Sequence, residues 1–340
     1  MNMKQKIECP YCDGTAVLHK EAKEIAYRKE VFKIIAHFYK CEKCGEEFTT
    51  TEADTISLVQ VHNQYREKNN IPFPEEIAAT RAKYGLLVSK MSEILGLGAN
   101  GYSNYENGEI PTPAYGNLIT AVSEPQTFMN LFDKAKDHFS DNAFRKVKQK
   151  IIDLIQTEDE NKLLCTNLNV YNQPNNFTGY KKLFASKIAN LVIYFIQHSK
   201  PDFNDKLKIN KQLFFADFTH YKNYGASITG ISYRAIKYGP VPSNYDNIYA
   251  YLENEQLISS QFSKLPNGGA REVFMAETDF DKKLFSEEEH ETLSAITEKF
   301  ANISTWDIVE LSHKEKAWKE LEATKELIGY QDYAFELAGV

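Results

Sequence analysis

The apolar residues of this chain recur at two periods, and the change from one to the other divides it. Near the start, Ala16-Val17-Leu18 and Ile34-Ile35-Ala36-His37-Phe38-Tyr39 are β-branched and aromatic runs that read as strands. From Thr51 the spacing becomes helical: Thr51-Glu52-Ala53-Asp54 can cap a helix carrying Ile56, Val59 and Val61. The polar run Arg66–Asn70, then Ile71-Pro72-Phe73-Pro74, reads as a linker. Pro74-Glu75-Glu76 opens a helix that Gly85 can end. Short helices follow over Ser89–Leu95 and Asn100–Glu106, separated by Gly96-Leu97-Gly98, and a fourth covers Tyr115–Val122. Phe139, Phe144, Val147, Ile151, Leu154 and Ile155 form a helical stripe in an otherwise charged stretch. The turn-rich segment Tyr171–Gly179 precedes a second helical stripe, Ile188, Leu191, Val192, Phe195 and Ile196. Further helices fit Lys208–Tyr221, Tyr245–Asn254, a capping box at Ser286-Glu287-Glu288-Glu289 running to Phe300, Ser304–Ser312 and the Trp318 region. A short strand fits Val273–Ala276 after the Gly268-Gly269 turn, and Tyr238-Gly239-Pro240-Val241-Pro242 is a sharp turn. The chain is therefore expected to be mainly α with small β, in segments 1–70, 71–132, a helical connector 133–180, and 181–340.

Cysteine changes this picture most. Cys9-Pro10-Tyr11-Cys12 and Cys41-Glu42-Lys43-Cys44 use four of the five cysteines in two C-x-x-C pairs. Four soft thiolates at tetrahedral corners suit one Zn²⁺, and two intervening residues let one tight turn present both sulfurs. Gly14 and Gly45 follow the knuckles, where the chain must turn so that N–H groups reach sulfur. Disulfides would need an oxidising compartment, and a redox motif would need one pair only. With four protein ligands the ion is structural, and it stabilises a ribbon too small for a full apolar core. His19 and His37 are expected to be surface or packing residues, and Cys165 an ordinary free thiol.

The composition allows several domains with real cores: 340 residues, 42% hydrophobic, 26% charged. No apolar run is long enough to span a bilayer. The first residues lead into the knuckle and not into an apolar leader, so a cytoplasmic protein with no membrane partner is expected. A net charge of −7 argues against a general polyanion binder, so any DNA contact must come from a local face.

Such a face is offered by two short helices joined by a glycine turn inside a compact helical set, which is a helix-turn-helix. The helix after the turn enters the major groove with its N-terminal residues at base edges. Those residues are Asn100, Gly101, Tyr102, Ser103 and Asn104. Asn pairs bidentately with adenine, and Ser takes either role. Ser89 and Lys90, opening the preceding helix, suit phosphates. Arg145, Lys146, Lys148 and Lys150 either supplement phosphate binding or form a solvated helix face.

The double C-x-x-C ribbon followed by Glu93-Ile94-Leu95-Gly96-Leu97-Gly98-Ala99-Asn100-Gly101-Tyr102-Ser103-Asn104-Tyr105-Glu106-Asn107-Gly108 resembles the MqsA-type antitoxins of bacterial toxin–antitoxin pairs. The resemblance covers about residues 8 to 132. It implies one structural zinc on Cys9, Cys12, Cys41 and Cys44, and an Xre-like helix-turn-helix that dimerises on palindromic operator DNA. In that family an Asn and an Arg on the recognition helix touch bases. Asn100 matches the first, whereas Asn104 stands where the family has Arg, a short amide in place of a long cation. Lys211-Gln212-Leu213-Phe214-Phe215-Ala216-Asp217, with Gly230 and Tyr238-Gly239-Pro240-Val241, resembles the SocA-like or Panacea antitoxin domain over about residues 184–320. This implies a protein-binding module with a cognate toxin as partner.

Asp217 and His220, at i and i+3, are the pair to weigh as acid–base groups. No nucleophile motif, phosphate loop or open metal site joins them, so an enzyme is not expected. Two functions remain: an antitoxin that neutralises a toxin and autoregulates its operon, or a zinc-ribbon helix-turn-helix regulator whose C-terminal domain binds another partner. No residue pattern marks the toxin-binding surface.

Overall fold

The computed structural model describes residues 3–156, 173–200, 204–264 and 270–340. Cys165, the start of the Tyr171–Gly179 segment and the Gly268-Gly269 turn lie outside the described residues. The chain divides into two compact units, Met1–Gln60 with Leu164–Val340, and Val61–Leu163.

The first unit begins with an antiparallel sheet in the order β1 (Lys6–Glu8), β2 (Thr15–Tyr27), β3 (Glu30–Cys41) and β4 (Glu47–Phe48). β2 and β3 pair from Ala16↔Cys41 to Tyr27↔Glu30, so the hairpin runs far beyond the short apolar strands expected. Arg28 and Lys29 join them with φ of 47° and 69°, the paired left-handed geometry that matches the twist of a tight hairpin. At the metal end the apolar core is small. Cys9, Ala16, Tyr39 and Cys41 are buried, with Ile7, Leu18 and Phe48 packed on them. Helix α1 (Thr51–Asn69) follows, and the division between units falls within it, after Gln60.

The rest of this unit is built around one buried helix. Flanking it in sequence are α8 (Ala185–His198), then α9 itself (Lys206–Tyr224), the hairpin β5 (Tyr233–Ile236) and β6 (Gly239–Pro242), and α10 (Tyr245–Asn254). A second hairpin, β7 (Ile258–Lys264) and β8 (Ala270–Ala276), precedes α11 (Glu287–Phe300), α12 (Thr305–Ser312), α13 (Lys316–Leu321) and α14 (Tyr330–Tyr333). The capping box expected at Ser286 forms, with its side chain accepting from Glu289 N and Glu289 returning to Ser286 N.

The second unit is helical: α2 (Pro74–Tyr84), α3 (Val88–Leu95), α4 (Gly101–Glu106), α5 (Pro113–Ala121), α6 (Pro125–Lys134) and α7 (Asp141–Gln156). Its core joins Ile77, Tyr84, Met91, Tyr102, Phe128, Phe132 and Ile151. α7 was expected in a connector, yet its stripe closes this core. Phe144 stacks on Phe132 at 4.7 Å between centroids, and Ile151 is fully buried. Among the described residues no helix is long and apolar enough to cross a membrane.

Candidate metal centre and nucleic-acid interface

The β1–β2 turn and the β3–β4 turn bring the two knuckles together. Cys9 N donates to Gly14 O at 2.9 Å, and Cys41 N to Glu46 O at 3.0 Å, closing each turn around its pair. Cys9 Sγ lies 3.8 Å from Cys44 Sγ, and Cys12 Sγ 3.5 Å from Cys41 Sγ. All four sulfurs fall within 4.8 Å of one another. Zn–S bonds of about 2.3 Å give a tetrahedron with S···S edges of about 3.8 Å, so the residues fit the ion. The turns also supply the N–H groups that a sulfur cage needs. Tyr11 N points at Cys9 Sγ (3.4 Å), and Lys43 N and Cys44 N at Cys41 Sγ (3.4 and 3.5 Å).

These donors set the charge state. The N–H groups of Cys44 and Lys43 lower the Cys41 thiol to about 6, whereas desolvation, then Cys41 itself, pushes Cys12 up to about 12. A divalent cation bound by these sulfurs favours their thiolate forms and releases protons on binding. Gly14 is required by space. A Cβ there would lie 2.9 Å from Cys41 Sγ and 2.7 Å from Lys43 Cβ. Gly45 is required by conformation, at φ 76°. His19 lies against Phe38 and His37 against Phe335, and neither joins the sulfurs. The four cysteines make a structural zinc-ribbon site.

In the helical unit, α3 and α4 are joined by a turn whose glycines, Gly96 and Gly98, adopt φ of 66° and 76°. α4 is fixed by side chains from three directions. Ser92 Oγ of α3 accepts from Tyr102 N at 3.0 Å, so it caps the helix that Asn100 precedes. Arg81 of α2 grips Glu106 with Nε–Oε1 2.7 Å and Nη2–Oε2 3.2 Å. Arg66 Nη2 donates to the carbonyls of Gly108 and Glu109, just past the end of α4.

Asn100 and Asn104 are exposed and Ser103 is half-buried on this helix, with Ser89 exposed on α3. The Asn100 side chain does not cap its own helix. Lys90 Nζ is held by Glu93 Oε2 at 2.7 Å and by His138 O at 3.0 Å. Tyr102 corrects the expected set. Its ring is fully buried and its hydroxyl donates to Ile77 O at 2.6 Å, so it fastens α4 to α2 and does not reach bases. Tyr102 and Tyr105 stand at i and i+3, and this spacing marks the inward face. Ser92, Arg81 and Arg66 were not expected as positioning residues. Arg81 and Glu106 lie 25 positions apart, and nothing local ties them.

The acid–base pair is parted by the fold. Asp217 Oδ1 accepts from Ile228 N (2.8 Å) and Thr229 N (3.0 Å), and Oδ2 from Thr229 Oγ1 (2.5 Å) and Tyr233 Oη (2.8 Å). Burial still raises its pKa. His220 meets Thr292 Oγ1 instead, at 3.0 Å, and burial lowers its pKa to about 3. Lys211 sends Nζ to Pro240 O at 2.9 Å, beneath Gly239 at φ 96°. The Lys-x₅-Asp spacing and the Gly-Pro-Val turn are thus two ends of one buried lock between α9 and the β5–β6 hairpin.

Comparison with known proteins partitions the chain differently from the two compact units, the first match spanning parts of both. The family model for the antitoxin component of bacterial toxin–antitoxin systems, MqsA, matches residues 7–123. The model for the antitoxin SocA-like, Panacea domain matches residues 209–319. Antitoxin MqsA of Escherichia coli (strain K12) is 30% identical over 131 residues, which cover 36% of this chain and 98% of that protein. With a cysteine cage on a ribbon, a glycine-turned helix pair later in the sequence, and nearly the whole of that relative matched, the chain belongs to the MqsA antitoxin family, extended here by a Panacea module.

Proposed function

We propose that this antitoxin binds and neutralises its cognate toxin through residues 181–340 and represses its own operon through the helix-turn-helix. The observation that carries the reading is the union of two antitoxin modules, matched over 7–123 and 209–319, on one chain. The C-terminal module acts by gripping a polypeptide, with its buried charges Lys211 and Asp217 spent on internal locks. On DNA, α4 lies in the major groove. Asn100 and Asn104 offer the carbonyl and amide that match adenine, Ser103 supports them, Ser89 holds phosphate, and Lys90 joins it by exchanging Glu93 and His138 O for the phosphate. A homodimer places two such helices on the half-sites of a palindrome in the cytoplasm. The zinc stays structural throughout.

Co-expression with the adjacent reading frame tests this. Growth arrest by that frame alone, relieved by this chain and accompanied by co-purification, is the expected result. A harmless neighbour would favour a regulator whose C-terminal domain binds a non-toxin partner. On the DNA side, Asn100→Ala should weaken operator binding by about 1–3 kcal/mol and leave random DNA unaffected. An equal loss on both would make Asn100 a backbone contact.

A further inference from the structure

Between the ribbon and α9 lies the segment Gly329–Val340, beyond residue 319, where the Panacea match ends. The ribbon reaches it through Gln60, which is fully buried. Its side-chain amide pairs with the β3 backbone as a neighbouring strand would, Ile35 N to Oε1 at 2.8 Å and Nε2 to Ile35 O at 2.9 Å. The same Oε1 accepts from Gln331 Nε2 at 2.7 Å, and Gln331 Oε1 accepts from Tyr221 Oη of α9 at 2.9 Å. A relay of side-chain amides thus runs from ribbon to α9. Phe335 completes the contact: it is 4% exposed, its ring meets His37 at 5.4 Å, and its carbonyl accepts from Lys20 Nζ at 3.1 Å. On the far side Glu315 receives Ala338 N and Gly339 N, at 3.1 and 2.7 Å.

Neither matched family supplies this contact by itself. The ribbon half of it lies within 7–123, the tail half outside both matches, and the relative from Escherichia coli is matched over nearly its whole length by 131 residues. We infer that the zinc ribbon is a brace for the C-terminal module, that the tail 329–340 is the clasp between them, and that zinc binding therefore controls the order of this clasp and not that of the helix-turn-helix. The metal sets the register that presents Lys20, Ile35 and His37, because the hairpin between them begins at Cys41 and its own apolar core is small.

Hydrogen exchange on the full-length chain tests this, with zinc, after chelation, and in the variants Cys41→Ser and Gln331→Ala. Chelation and Cys41→Ser should each speed exchange in 329–340 at least tenfold, with residues 74–134 unchanged. Gln331→Ala, which leaves the cage intact, should do the same to a smaller degree while retaining zinc. Unchanged exchange in the tail on zinc loss, or a change confined to 74–134, overturns the inference. Its consequence for toxin rests on the assignment of neutralisation to the C-terminal module. A loosened tail with full protection of growth would leave the brace standing and sink that assignment instead.

Discussion

The metal end of the ribbon buries four residues in its core, Cys9, Ala16, Tyr39 and Cys41, whereas α9 alone buries thirteen. Both places hold polar atoms away from water, and they satisfy them by different means. The ribbon gathers four sulfurs that only a cation can complete. The C-terminal module encloses Asp217, Lys211 and Lys208 and meets each with hydroxyls, N–H groups or carbonyls of the same chain. One region owes its stability to something outside the polypeptide. The other is closed on itself, and its polar groups are costly only when a partner is removed.

Chelation is the harshest probe of that contrast. Structural zinc contributes on the order of 10 kcal/mol in small finger peptides. Its removal should therefore abolish ribbon structure while the helical signal of the remaining chain persists; mass spectrometry and circular dichroism read both. Asp217→Ala comes next. With four donors left unsatisfied at about 1–3 kcal/mol each, a loss of at least ~3 kcal/mol is expected in urea unfolding of the C-terminal module, with zinc content unchanged. A loss below ~1 kcal/mol would mean that water replaces the carboxylate.

Lys211 gives the most specific effect, read per pH unit. Burial lowers its pKa from 10.5 to about 7. Between those values the unfolded chain holds the proton and the folded chain does not, so stability rises with pH across that window and is lost below it. Lys211→Met should remove up to ~1.4 kcal/mol per pH unit from the slope between about pH 7 and 10. An identical slope in the variant would show that Lys211 stays charged against Pro240 O.

The parts legible in the sequence are those fixed by local spacing. The cysteine cage needs only two turns, and the glycines of the α3–α4 turn are required by positive φ at 96 and 98. The capping box at Ser286 is equally local. Long-range pairing was not legible. β2 continues through Lys20-Glu21-Ala22-Lys23-Glu24, where neither face is apolar, and its turn lacks the usual Asn or Gly. The stripe on α7 was visible, but not that Phe132 awaited it. Tyr102 was read by its place near a helix start when its spacing with Tyr105 had already turned it inward.

The pairing of Gln60 with Gln331 joins residues 271 positions apart. During synthesis at about 5–20 residues per second, the ribbon leaves the ribosome roughly 15–50 s before its binding surface arrives. Zinc can be captured as soon as Cys44 emerges, so the metal would keep a nascent hairpin in shape until Gln331 is translated. In a zinc-starved cell, the ribbon of each new copy would be the partner left waiting unfolded for Gln331.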